Sequence, residues 1–446
     1  MTPVPAVPPV TVTMRVRRLA PALAGVVAAA CASARPAMTP DMDDVPLAAE
    51  TAAGETPTAR RERPLLAAER LAALPAAERA AWARFLEGSR ATAAADREAM
   101  RRELAARGVT RMDAAPKHAG FAVRPAMTGA WFAGDEARAQ TAALLSWQTP
   151  SGGWSKRVDM SAPRRPGMAY GSEGDGWAYV PTLDNDATTE QLVYLARALD
   201  AGVGGGAERE AYGRGVRYLL QAQLPTGCWP QVYPLQGSYH DAATFNDEAS
   251  VNVLRVLQDV VGRDAAGAAR TGLATAQREA AGEAVRRGVD CLVRAQVVER
   301  DTLTAWGQQH DPLTLCPVDA RSYEHASLAS KESAAIVDFL LEIPEPDARV
   351  VAAVHGAADW FRRAAVTGYA YDYRTGLRAE PGAGPIWARM YELGTGRPLF
   401  SNRDGVRRYR WDELTDRRQG YAWYTTDPAS TLRRYERWAR THPRTG

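Results

Sequence analysis

Leu219-Leu220-Gln221-Ala222-Gln223 closes a helix-like run, and six residues beyond Gln223 stands Trp229. The arrangement recurs at Leu144-Leu145-Ser146-Trp147-Gln148 with Trp154, and at Leu292-Val293-Arg294-Ala295-Gln296 with Trp306. The tryptophans lie 75 and 77 residues apart, and the third copy carries four extra residues between its Gln and its Trp. Second helices are predicted between the copies over 188–199, 247–261 and 331–341, and a fourth pair starts over 347–365. A unit of helix, Gly/Pro loop and second helix cannot bury its apolar face alone, so such units stack. The reading is an all-α fold, an (α/α) toroid or barrel of about three hairpins with long loops. A few short strands are expected over 368–373 and 385–399. The loops all follow the same helix end and gather on one face. Trp154, Trp229 and Trp306 would line a cleft there, with loop anchoring in the core as an equal alternative for each.

Outside the repeat the chain divides simply. Residues 63–108 read as a helical pair, with Leu71, Leu74, Trp82, Phe85 and Leu86 set in Ala, Glu and Arg filler. Residues 35–62, rich in Ala, Pro, Thr and Asp, read as a disordered linker. The first 34 residues have the layout of a secretory signal: basic Met14–Arg18, an apolar run over 19–30, then small residues at 31–34. Translation from Met14 fits this layout, since residues 2–13 are rich in Pro and Val. Export to the periplasm or medium is expected, with lipidation at Cys31 as the alternative. The apolar run is shorter than the ~20 residues a spanning helix needs. Residues 63–446 then form the main domain.

Net charge is +3, from 55 basic and 52 acidic residues. That balance argues against nucleic acid as a partner. Trp (12) and Tyr (16) outnumber Phe (7), a bias that suits sugar faces. Beyond Cys31, Cys228, Cys291 and Cys316 fit neither a disulfide framework nor a zinc site; one bridge or buried thiols are equally expected.

Polar residues cluster after the helix ends. The clusters are Ser151–Lys156, Thr182–Thr189, Tyr239–Asp241 with Thr244–Glu248, and a dense stretch over 305–331 holding His310, Asp311, Asp319, Arg321, Tyr323, Glu324, His325 and Lys331. Asp184, Asp186, Asp247 and Glu248 precede helices, where a carboxylate commonly caps free amides. Two such clusters with paired Asp and Asn oxygens instead suit Ca²⁺, a hard ion held by oxygen. No zinc motif is present. Arg321, Arg389 and Arg403 are fixed cations that can grip carboxylates bidentately, and so suit a polyanionic ligand.

In order, SGGWSK (151–156), TLDNDATTEQLVYLAR (182–197), CWPQVYPLQGSYHDAATFNDEA (228–249), AWGQQHDPLTLCPVDARSYEHASL (305–328) and WARMYELGTGRPLFSNRDG (387–405) resemble the family-ten polysaccharide lyases, bacterial pectate lyases. The resemblance covers about 65–440. It implies a helical toroid that cleaves de-esterified polygalacturonate by Ca²⁺-dependent β-elimination, leaving 4,5-unsaturated oligogalacturonides, as a monomer. Arg321 would be the base, and Asp184, Asn185 and Asp247 the metal ligands. Lys156, Trp229, His310, Tyr323, Arg389 and Arg403 would hold substrate, with His310 and Asp311 also able to support Arg321. Three departures from the family pattern stand out: Asp186 where Gly is usual, Ala329-Ser330-Lys331 for a Ser-Gly-Gly run, and Asp319, expected to pair with Arg321 and keep it protonated. An inverting glycoside hydrolase using Asp184 and Asp247, or a non-catalytic polyuronate-binding protein, are the alternatives.

Overall fold

The computed structural model describes residues 64–118, 121–172 and 180–444. The export signal and the linker expected over 1–62 lie outside the described residues. Among the described residues nine longer helices form the frame: α1 (Ala76–Ala106), α2 (Asp135–Ser146), α3 (Thr189–Asp200), α4 (Gly206–Ala222), α5 (Ala249–Gly262), α6 (Thr275–Ala295), α7 (Ser330–Leu340), α8 (Ala348–Ala364) and α9 (Asp427–Trp438). The N-terminal helical pair is one short helix, Ala68–Ala72, followed by the 31-residue α1.

The helices pack in two layers. In one, α2 meets α4, α4 meets α6 and α6 meets α8; in the other, α3 meets α5, α5 meets α7 and α7 meets α9. The layers join through α3 with α4, α5 with α6, and α7 with α8. Patterning explains the second layer. In α5, Val251, Val253, Leu254, Val256, Leu257 and Val260 are all buried. Asn252, Arg255 and Asp259 share the remaining face at helical spacing. Strands are short two-residue to four-residue pairings in the loops, such as Ala243–Thr244 with Gln309–His310 and Ser327–Ala329 with Met390–Glu392.

The Gln…Trp repeat is a structural clamp. Nε1 of Trp154, Trp229 and Trp306 donates to the carbonyls of Leu144, Leu219 and Leu292, at 2.9, 2.8 and 2.7 Å. Each tryptophan therefore ties its loop back to the helix before it. Each Gln amide serves two carbonyls, one in its own loop and one in the next helix of the same layer. Gln148 reaches Gly152 and Ala211, Gln223 reaches Gly227 and Ala284, and Gln296 reaches Thr304 and Ala353, all at 2.7 to 3.0 Å. Trp387 repeats the tryptophan half of the clamp by donating to Phe361 O at 2.8 Å, with Ala365 standing where the Gln would be. It is hidden in the sequence because the Gln is missing and the hairpin of Tyr369–Asp372 and Gly376–Ala379 is inserted before the Trp.

All three predicted tryptophans are fully buried, so they anchor loops and line no cleft. Gly227 shows how close the packing is. It sits at φ +105°, and a Cβ there would lie 2.3 Å from Arg287 O on α6. A disulfide, Cys228–Cys291, fastens the same loop to α6.

Candidate active site

Two loops ahead of α3 and α5 carry the oxygen-rich residues, and both are bent into unusual conformations. Asn185, Asp186, Thr188, Asp247 and Glu248 all have φ between +48° and +68°. Left-handed backbone is uncommon outside glycine and costs of order 1 kcal/mol or more per residue. Asp186, where glycine would be at ease, is one of them, and its Oδ1 accepts from Asn252 Nδ2 at 2.8 Å. Neither α3 nor α5 has a side-chain cap: the residues at the cap positions, Thr188 and Glu248, make no such bond. Asp184 and Asp247 take no part in capping: Asp184 faces Lys156, and Asp247 faces the Asn185 amide of the other loop.

Asn185 Nδ2 donates to Asp247 Oδ2 at 3.0 Å and joins the two loops. Asp184 is buried, its Oδ2 2.5 Å from Lys156 Nζ, while its buried Oδ1 has no hydrogen-bond partner among the described residues. Burial opposes the charge of Asp184, but Lys156 overrides it and holds the carboxyl below its ordinary value. Asp247 shows the opposite shift. Burial, then the charge of Asp184, pushes it up despite Arg389.

Behind Asp247 lies a buried ion pair. Arg389 Nη2 is 2.5 Å from Glu332 Oε1 and 3.8 Å from Asp247 Oδ1, and it also reaches Asn246 Oδ1 at 3.2 Å. Gln308 Nε2 lies 3.1 Å from the same Glu332 oxygen.

Arg321 is held differently from the sequence expectation. Its Nε donates to Glu324 Oε2 at 2.6 Å and its Nη2 donates to Glu324 Oε1. Asp319 instead accepts from the Ala326 amide at 2.7 Å. The carboxylate beside Arg321 is therefore Glu324, because the tight turn at 321–324 folds that side chain back onto the guanidinium. Burial would lower the pKa of Arg321, but the Glu324 hydrogen bonds and charge outweigh it and hold the group above its ordinary value. The Arg321 side chain stays 44 % exposed. Its charge also reaches Asp184 and His240, which line a cavity with Ser155, Lys156, Thr182 and Gln231.

The remaining sequence-predicted residues scatter. Arg403 is exposed and lies 3.6 Å from Asp416. Tyr323 is buried between the Arg321 and Arg417 guanidiniums, 4.9 and 4.3 Å from its ring centre. His310 is fully buried: the Gly307 amide donates to its Nε2 at 2.8 Å, and its Nδ1 lies 2.7 Å from Leu315 O. Burial lowers its pKa to about 4. His310 and Trp229 thus offer no surface to a sugar, having spent their polar atoms on backbone. Glu332, Tyr421 and Arg417 join the site without a sequence signal of their own. Their partners lie up to 113 residues away, as Tyr421 and Gln308 illustrate.

Among the described residues, no group of three His, Cys, Asp or Glu side chains forms a metal cage. The donors that do converge are two carboxylates and an amide, one of them with an orphaned buried oxygen. Such a hard-oxygen set fits Ca²⁺ when further ligands come from an anionic substrate or water.

Comparison with known proteins places this chain among the polysaccharide lyases. Residues 148–432 match the model of the pectic acid lyase family, and the chain belongs to that family, as a family 10 polysaccharide lyase and a pectate lyase. A solved family 10 polysaccharide lyase from Cellvibrio cellulosa is 30 % identical, with TM-score 0.61, covering 73 % of this chain and 100 % of that one. An aspartate-to-alanine mutant of family 10 polysaccharide lyase from the same organism, in complex with trigalacturonic acid, is 30 % identical, with TM-score 0.61. It covers 70 % of this chain and 96 % of that one. No curated protein sequence matches.

Proposed function

We propose that this pectate lyase acts on α-1,4-linked, de-esterified polygalacturonate by Ca²⁺-dependent β-elimination, on a two-layered (α/α) toroid, and that it is exported. The observation that carries the reading is the placement of Arg321. It is half-exposed, within electrostatic reach of Asp184, and beside loops that join Asp184, Asn185 and Asp247.

A Ca²⁺ held by Asp184, Asn185 and Asp247 would set positive charge against the uronate carboxylate and stabilise the enolate-like charge formed when C5 loses its proton. Lys156, which lines the cavity with Asp184, and the exposed Arg403 are the cations available to grip carboxylates of the polymer, whereas Arg389 is buried against Glu332. Arg321 takes the C5 proton, the C4–O bond breaks, and the chain end is left 4,5-unsaturated. In the free protein Glu324 keeps Arg321 cationic, so the neutral form needed for base action must arise in the complex, among the cations of the cleft. The disulfide Cys228–Cys291 supports export, because such bonds persist in oxidising compartments.

The test is incubation with polygalacturonate and Ca²⁺, followed by ultraviolet absorbance of the unsaturated ends, then chelation. Absorbance that chelator abolishes supports the reading. New reducing ends without absorbance would indicate hydrolysis. Arg321→Ala is expected to remove turnover and keep polymer binding; an active variant overturns the assignment of the base.

A further inference from the structure

Arg321 is gripped along one edge only. Nε and Nη2 both bond to Glu324, while Nη1 has no hydrogen bond among the described residues. The ring of Tyr323 lies against the guanidinium at 4.9 Å. With one edge and one face fixed, Nη1 is the nitrogen left on the exposed side.

Glu324 is itself held. It is 3 % exposed, and Tyr421 Oη lies 3.2 Å from its Oε1. Gln308 Nε2 is 3.1 Å from the same Tyr421 oxygen. Tyr421 has one proton, and a carboxylate is a stronger acceptor than the Gln308 amide oxygen 3.3 Å away. The phenol therefore donates to Glu324 and accepts from Gln308. Burial keeps that phenol neutral and so a donor. Gln308 continues to Glu332, and Glu332 to Arg389 and the Asp247 loop. The Tyr421 hydroxyl is the link between the Arg321–Glu324 pair and the pair behind Asp247. Its ring adds to this, lying 4.7 Å from the Arg389 guanidinium and edge-on to Tyr323 at 5.4 Å.

We propose that Glu324 and Tyr421 are positioning residues for the elimination: they fix the Arg321 guanidinium so that Nη1 meets the substrate, in register with the Asp247 loop. The inference rests on the reading of Arg321 as the base. Glu324 does two opposing things. It orients the guanidinium, and it holds the proton that the base must lose. Removing its charge should therefore lower kcat through lost geometry while easing deprotonation of what remains.

The experiment measures kcat, KM and the pH dependence of kcat on polygalacturonate for Glu324→Gln, Tyr421→Phe and Arg321→Ala. For Glu324→Gln the expected result is a kcat lower by roughly 100-fold, KM within about twofold, and the rising limb of kcat moved to lower pH, in line with loss of a charge-assisted pair in a preorganised site. For Tyr421→Phe it is a loss of about tenfold in kcat, the size of one hydrogen bond to a charged group, with KM unmoved and the rising limb moved to higher pH, because Glu324 loses a donor and turns more of its charge on Arg321. A merely structural role would lower kcat without moving the limb. Both variants within twofold of the parent in kcat, or losses with an unmoved limb in Glu324→Gln, overturn the proposal. If Arg321→Ala is itself active, the base assignment has failed; if it is dead while Glu324→Gln and Tyr421→Phe behave as the parent, only the positioning role has. Oligogalacturonate binding by each variant reports that the fold is intact.

Discussion

Replacing Glu332 by alanine would strand Arg389. Glu332 is 1 % exposed, and its Oε1 accepts from Arg389 Nη2 at 2.5 Å and Nε at 3.1 Å. Without it, the nearest carboxylate left to the buried guanidinium is Asp247 at 3.8 Å. Deleting one member of a buried pair costs about 3–5 kcal/mol, because the survivor keeps an uncompensated charge away from water. At about 2 °C per kcal/mol for a large domain, Tm should fall by about 6–10 °C. Deleting both charges with apolar residues of similar size, as in Glu332→Leu with Arg389→Met, should recover most of the loss. The pH dependence has a definite sign. Burial would raise the Glu332 carboxyl, but Arg389 and then Lys331 hold it below its ordinary value. A depressed carboxyl contributes stability above its unfolded pKa, about 4.3, and loses it as pH falls through the folded value. The gap between parent and Glu332→Ala should be full at pH 7 and shrink below about pH 4. Chemical denaturation at both pH values measures it. A Glu332→Ala protein within 1 kcal/mol of the parent at pH 7, or a double variant less stable than the single, would refute the buried-pair argument.

Two further outcomes follow from the loops. Gly227→Ala should destabilise by several kcal/mol in thermal unfolding, since its Cβ would meet Arg287 O at 2.3 Å on a backbone with φ +105°. Trp229→Phe should cost about 1–3 kcal/mol of stability by orphaning the Leu219 carbonyl, yet leave oligogalacturonate affinity unchanged in calorimetry; a selective loss of affinity would return Trp229 to the sugar.

Much of this site could be read from the chain because its residues lie in contiguous motifs. Asp184 and Asn185 are neighbours, and Arg321 and Glu324 share one turn. The orientation of groups within a motif was harder to read. Asp319 and Glu324 flank Arg321 two and three residues away, and linear distance favours neither. The turn decides, giving Glu324 the guanidinium and Asp319 the Ala326 amide. His310 sits in the densest polar stretch of the chain, yet it is consumed by the Gly307 amide and the Leu315 carbonyl.

The sequence by itself determined the repeating hairpin, because a clamp of one Gln and one Trp works through contacts to the helix just before and the next helix of the same layer, and leaves its mark at a recurring spacing. It also determined which loops carry oxygen and which carry arginine. Only the tertiary structure decided what each charge faces. Glu332, Tyr421 and Arg417 come from separate elements and mean little alone. They matter because packing brings them within hydrogen-bonding or ring-stacking distance, in a buried setting where one missing partner costs several kcal/mol.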